Sequence, residues 1–192
     1  MMVGNIRNFT KIDILRCFLR FAKSIGRQEL AKELDLGEGT IRTILDILKS
    51  RKLLESTKKG HFLSKNGANI MDKIHYFISN LQIIDMKDVY PSYKKIGVII
   101  KNIPNLKGVY KLRDIAVGNK ADGAIILAFD DKLYAPEYEY EQDYKELEKY
   151  FDFKKNDVMV IAFSNELRHA ETGALAIAIE LSPFVKKFIN KL

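Results

Sequence analysis

A single cysteine in 192 residues, Cys17, excludes an internal disulfide and removes any cysteine-based zinc cage. No apolar run approaches the roughly 20 residues of a membrane span, and Met1 to Thr10 lacks the basic-then-apolar order of a signal peptide. The cytoplasm is therefore the expected compartment. The common catalytic signatures are missing too: there is no Gly-x-Ser-x-Gly, no Gly-x-x-x-x-Gly-Lys-Ser/Thr, no His-Glu-x-x-His and no Gly-x-Gly-x-x-Gly following a strand. Cys17 falls among Leu15, Phe18 and Leu19, a core setting rather than a nucleophile's. No catalytic residue, metal site or cofactor is expected, and an enzyme is the distant reading.

What the chain does have is apolar residues, 47% of the total, enough for one moderate core or two small ones. It also has an uneven charge. Residues 1 to 85 carry 15 Lys and Arg against 9 Asp and Glu, whereas residues 86 to 192 carry 17 against 16, so nearly all of the net +7 lies in the first half. That asymmetry is the footprint of a nucleic-acid module joined to a domain with another task, or of a plain solvated basic surface.

The tract from Arg27 to Gly67 favours the first of these. Leu30, Ala31 and Leu34 share one face of a short helix, and Ile41, Ile44, Leu45 and Leu48 form the buried stripe of a second. Leu36 plugs the turn, and Gly37 and Gly39 are expected to let the chain reverse. The outer face of the second helix carries Thr40, Arg42, Thr43, Asp46 and Lys49, groups that reach phosphates and base edges when a helix lies in the major groove. Leu53 to Thr57 and His61 to Leu63 then pair around Lys58-Lys59-Gly60, a hairpin whose basic tip suits the DNA backbone or minor groove.

On these residues, together with Leu53-Leu54-Glu55-Ser56 and the restart at Leu63-Ser64-Lys65-Asn66-Gly67, the region from about 10 to 80 resembles the DNA-binding half of prokaryotic winged helix-turn-helix transcriptional regulators, in particular the group of the glycolytic-gene repressor. The resemblance implies double-stranded DNA as partner and Thr40, Arg42, Thr43, Lys49, Lys58 and Lys59 as the residues that meet it. The sequence departs from that pattern at Asp35, where a turn glycine is common, and at Gly37, where a serine or threonine cap is common. A winged helix used for protein or RNA contacts is the alternative.

A helix is expected over 65 to 85, capped by Ser64. Ile70, Ile74, Phe77, Leu81 and Ile84 step by four and three along it, which fits either a homodimer seam or packing within the chain. Domains are accordingly expected over 1–64, 65–85 and 86–192.

Beyond Asp85, strands are expected at Lys95 to Lys101, Ala124 to Phe129, Lys132 to Ala135 and Val158 to Phe163, and helices at Val109 to Asn119, Glu141 to Phe151 and Glu166 to Leu181. The class is α+β: a winged helix followed by an α/β sandwich whose βαββαβα order is that of the ferredoxin-like split βαβ with an added helix. Leu112-Arg113-Asp114-Ile115-Ala116-Val117, Ala121-Asp122-Gly123-Ala124, Leu167 to Glu171 and Gly173-Ala174-Leu175 resemble the domain that accompanies winged helices in a group of archaeal regulators, which implies an effector domain without naming its effector. Arg113, Asp114, Arg168, His169 and Glu171 are the candidate ligand residues, for a small anion met by backbone N–H groups at a helix start near 166–167. His169 with Glu171 is too thin for a metal. The Tyr- and Glu-rich stretch from Tyr138 to Tyr150 reads as an exposed face or an acidic contact surface.

Overall fold

The computed structural model describes residues 9–58, 60–87, 89–136 and 142–192. The architecture is α+β and divides into two compact units, Met1–Asp72 with Phe188–Leu192, and Lys73–Lys187.

In the first unit, α1 (Lys11–Phe18) begins at a capping box: the Asp13 N–H donates to the Thr10 hydroxyl and the Thr10 N–H to the Asp13 carboxylate. Its inner face buries Ile14, Leu15, Cys17 and Phe18, and Phe188 packs on Phe18 with ring centroids 5.5 Å apart. Cys17 is thus the core residue its neighbours suggest. Burial pushes its thiol up to about 12, outweighing the nearby Arg20 and Arg16 cations, so the reactive thiolate is suppressed. Arg16 is 1% exposed; its guanidinium bonds Asp13 at 2.9 Å and reaches the Leu34 carbonyl at 3.2 Å, satisfying an acceptor at the end of the next helix.

That helix is α2 (Arg27–Leu34), followed by α3 (Glu38–Ser50). The chain reverses between them differently from the expectation. Asp35, at φ 52° and ψ 54°, takes the left-handed conformation itself, and the Leu36 N–H returns to the Ala31 carbonyl at 3.0 Å. Gly37 is an extended N-cap at φ −63°, and a β-carbon at either Gly37 or Gly39 would meet nothing within 4 Å. A short polar side chain tolerates that region, so the glycines are not needed for the turn.

The wing is β1 (Leu54–Thr57) paired antiparallel with β2 (Gly60–Leu63). Ile25 adds a third rung by bridging to His61. Gly60, at φ 129°, is needed there, because a β-carbon would strike the Ile25 carbonyl at 2.8 Å. The Ser64 hydroxyl accepts from the Gly67 N–H at 2.9 Å and donates to the Lys52 carbonyl at 2.7 Å, opening α4 (Lys65–Phe77) as expected.

The helix expected to run to Asp85 instead stops at Phe77. The Lys101 N–H donates to the Phe77 carbonyl, the Ser79 N–H to that of Ile99, and Ile78 bridges Ile100, so the chain leaves helical bonding for the edge of a sheet. Gln82–Ile83 form β3 on β4 (Lys94–Ile100), and Ile84 joins the second unit's core. Ile74 is fully buried and Phe77 stacks on Phe184 at 5.3 Å. The 4-3-4-3 spacing therefore describes a helix followed by a strand, not a continuous dimer seam.

The remaining elements of the second unit are α5 (Val109–Gly118), β5 (Gly123–Phe129), β6 (Leu133–Tyr134), a 3-10 turn at Lys145–Tyr150, β7 (Val158–Ser164), α6 (Leu167–Leu181) and α7 (Pro183–Asn190), the last turn of α7 belonging to the first unit. The sheet order is β3-β4-β7-β5-β6, antiparallel throughout. Since β4 and β5 flank β7, the β4-α5-β5 connection is the expected split βαβ. The edge beside β4, where the ferredoxin-like order would set the last expected strand, is closed by β3 from upstream, and that strand, β7, lies between β4 and β5 instead, with β6 at the opposite edge.

Pairing sets Ile96, Ala162 and Ala124, Val98, Val160 and Ile126, and Ile100, Val158 and Ala128 in rows toward α5 and α6. Met159, Ile161 and Leu127 face the other way, where Leu147, Tyr144, Tyr150, Phe151 and Phe153 cover them. The helix expected over Glu141 to Phe151 is thus only the 3-10 turn, since that segment's apolar residues are used to lie across a sheet. Glu141, with Glu137 to Tyr140 of the acidic stretch, lies outside the described residues.

Candidate nucleic-acid interface

The buried stripe of α3, made of Ile41, Ile44, Leu45 and Leu48, fixes what the rest of that helix presents. Arg42, Thr43 and Asp46 are exposed, and Thr40 and Lys49 are half-buried. The Thr43 hydroxyl donates to the Gly39 carbonyl at 3.2 Å, so toward a partner it offers lone pairs and a methyl group. The start of α3 has no side-chain cap, and a β-carbon at Gly37 or Gly39 would meet nothing within 4 Å.

The wing follows this helix along the chain. His61 shares a 2.8 Å hydrogen bond with Ser56 across the hairpin. Burial holds its imidazole below the usual range; Lys49 on α3 and Arg27 on α2 act in the same direction, and Asp46 opposes them. The Ile25 to His61 backbone pair sets the segment just before α2 beside the wing. Lys58 is exposed at the tip of the hairpin, and Lys59 lies outside the described residues.

Arg27 and His61 were not among the residues the sequence singled out. Arg27 pairs with Glu38 at 3.1 Å, beside the start of α3. The Ile25 to His61 bridge ties the segment before α2 to the wing, and nothing in local spacing announces it.

The five candidate ligand residues of the second unit fall on two helices, Arg113 and Asp114 on α5 and Arg168, His169 and Glu171 on α6. Arg113 lines a groove of about 660 Å³ with Tyr90, Asp122, Tyr144 and Phe163. Asp114, Arg168, His169 and Glu171 are absent from that lining. Asp114 is exposed, Glu171 is buried, and His169 stands 3.4 Å from Glu166. Near the start of α6, the Asp122 carboxylate already accepts from the Ser164 hydroxyl at 2.6 Å and the Asn165 N–H at 3.2 Å.

Two family models match parts of the chain. Residues 11–69 match the PH0730-like N-terminal domain, and residues 92–181 match a domain of unknown function, DUF4443. Among solved structures, the chain is similar to hypothetical protein PH0730 from Pyrococcus horikoshii OT3, with 28% identity over 93% of this chain and 98% of that one and a TM-score of 0.78. No curated protein matches. The likeness therefore covers both units at once and lies with an archaeal protein. Among the described residues, no helix is long and apolar enough to cross a membrane.

Proposed function

We propose that this chain is a DNA-binding transcriptional regulator that works as a homodimer, its first unit reading duplex DNA and its second responding to a small ligand. The observation that carries the reading is the exposure of Arg42 and Thr43 on α3, with Lys49 half-exposed beside them, next to a wing tipped by Lys58. A helix seated in the major groove uses such groups for base edges, and a basic hairpin beside it meets phosphates. The start of α3, which has no side-chain cap, adds a positive helix end that suits a phosphate oxygen.

One recognition helix spans few base pairs. Two of them, about 34 to 36 Å apart, would read a palindrome, and this is the role of the dimer. Its contact surface is not a continuous seam over 65 to 85, because Ile74 and Ile84 are spent inside the chain. In this reading the chain regulates by binding rather than by catalysis.

Selection of genomic fragments with purified protein tests the reading. Enrichment of one palindromic sequence is expected, with affinity that falls steeply as salt rises. Retention of RNA or protein partners without any duplex preference would overturn it in favour of an interaction module, and turnover of metabolites without enrichment would favour an enzyme.

A further inference from the structure

The second unit contains a cleft of about 580 Å³ whose walls come from three places in the sequence. Tyr76 and Phe77 are the last residues of α4; Ile100 to Ile103 leave the end of β4; Leu181 to Pro183 are the joint between α6 and α7. Its size lies within the range of small-molecule sites. Phe77, Ile100, Leu181 and Pro183 supply its apolar lining, and Tyr76 joins them with 75% of its surface exposed.

The charged part of the lining is mixed in sign, three lysines, Lys101, Lys154 and Lys155, with two aspartates, Asp152 and Asp157. Asp157 is 3% exposed and its carboxylate is already used, accepting from the Asn102 N–H at 3.1 Å and the Lys154 N–H at 2.9 Å. Lys101 donates to the His75 carbonyl at 2.7 Å and Lys155 pairs with Asp130 at 2.8 Å, while the Lys154 ammonium has no partner among the described residues. An ammonium beside an apolar wall, with the deeper carboxylate satisfied by backbone, suits a molecule with one anionic group on an aromatic or aliphatic body.

The cleft also has a distinctive place in the chain. The two compact units exchange chain twice, at 72/73 and at 187/188, and both crossings run along helices, α4 and α7. The last residues of α4 and the first of α7 both line this one cleft. We propose that the cleft is the effector site, that it takes a small organic anion with an apolar body, and that the Lys154 ammonium holds the anionic group. Occupancy changes DNA affinity when the two arrangements of these helix ends bind the ligand unequally. The regulatory half of this inference rests on the DNA-binding reading; the binding half does not.

The test uses the full chain and 8-anilinonaphthalene-1-sulfonate, an aromatic sulfonate, followed by fluorescence, with decanoate, indole-3-acetate and AMP as competitors. Saturable one-to-one binding is expected. Lys154→Glu, on an exposed position, should weaken it at least about tenfold, the worth of a lost charge-assisted contact. Leu181→Trp should fill the cleft and abolish binding, and Arg113→Ala, in the other groove, should leave it unchanged. Which competitor displaces the probe distinguishes an aliphatic carboxylate, an aromatic carboxylate and a nucleotide phosphate as the source of the anion. Failure of all four molecules to bind, equal affinity in Lys154→Glu, or loss of binding in Arg113→Ala would overturn the site. If the wild type binds both probe and duplex DNA but the probe leaves DNA affinity unchanged, the regulatory half falls. If the wild type binds no duplex at all, the DNA reading fails while the site stands.

Discussion

Ile25 and His61 donate their backbone N–H groups to each other's carbonyls, both at 3.0 Å, and so fasten the wing to the segment that precedes α2. This bond pair places the His61 side chain where burial, with Lys49 and Arg27 acting in the same direction and Asp46 opposing, holds it below its ordinary value of 6.5. The unfolded chain then takes up more protons than the folded one once the pH falls to that value. The His61 contribution to stability is complete above 6.5 and is lost progressively as pH drops toward the lower folded value. The wild type should lose more thermal stability than His61→Asn between about pH 7.5 and about pH 5.5. Parallel melting curves across that interval would remove this account.

Gly67 lies against the Leu53 carbonyl so closely that a β-carbon would overlap that oxygen. Backbone cannot give way as a flexible side chain can, so Gly67→Ala should push the start of α4 off the base of the wing at a cost of about 1 to 3 kcal/mol. Ser64→Ala, which removes the cap and strands the Gly67 N–H, should cost on the order of 1 kcal/mol. Chemical denaturation ranks the two. A Gly67→Ala protein as stable as wild type would mean that α4 can shift without loss.

The helix-turn-helix was legible because its signals are local: Ile41, Ile44, Leu45 and Leu48 repeat at helical spacing, and Ser64 stands where a cap must. The turn was half legible. Glycine is the usual sign of positive φ, yet Asp35 takes that conformation and Gly37 does not. Two longer elements were misread because tertiary pairing decided them. Ile84 falls in phase with Ile74 and Phe77, but it faces a core built from β5 and β7. The acidic segment before Phe151 has helical composition, yet Tyr144, Leu147 and Tyr150 serve to cover the sheet. The cleft that holds Lys154 was invisible for the same reason, since its walls are joined by no spacing rule.

Ile74 offers a direct check on the seam. It is fully buried and α4 ends three residues later, at Phe77. Ile74→Ala should therefore act as a core truncation, costing about 2 to 5 kcal/mol, without changing sedimentation of the folded protein. A variant that keeps its stability but shifts from dimer to monomer would restore the intermolecular seam.

Arg42 and Lys58 should separate the two parts of DNA recognition. Arg42 is exposed on α3, the helix proposed to enter the major groove, whereas Lys58 is exposed at the hairpin tip, which is proposed to meet phosphates. Arg42→Ala should relax sequence preference, lowering affinity for the selected site by about 1 to 3 kcal/mol if the guanidinium pairs with a guanine, and should affect unrelated duplexes less. Lys58→Ala should weaken selected and unrelated duplexes alike and lower the slope of log affinity against log salt by about one contact. Fluorescence anisotropy with both duplexes over a salt series measures all of these quantities. If the double variant binds every duplex as tightly as wild type at low salt, the interface lies elsewhere on the molecule.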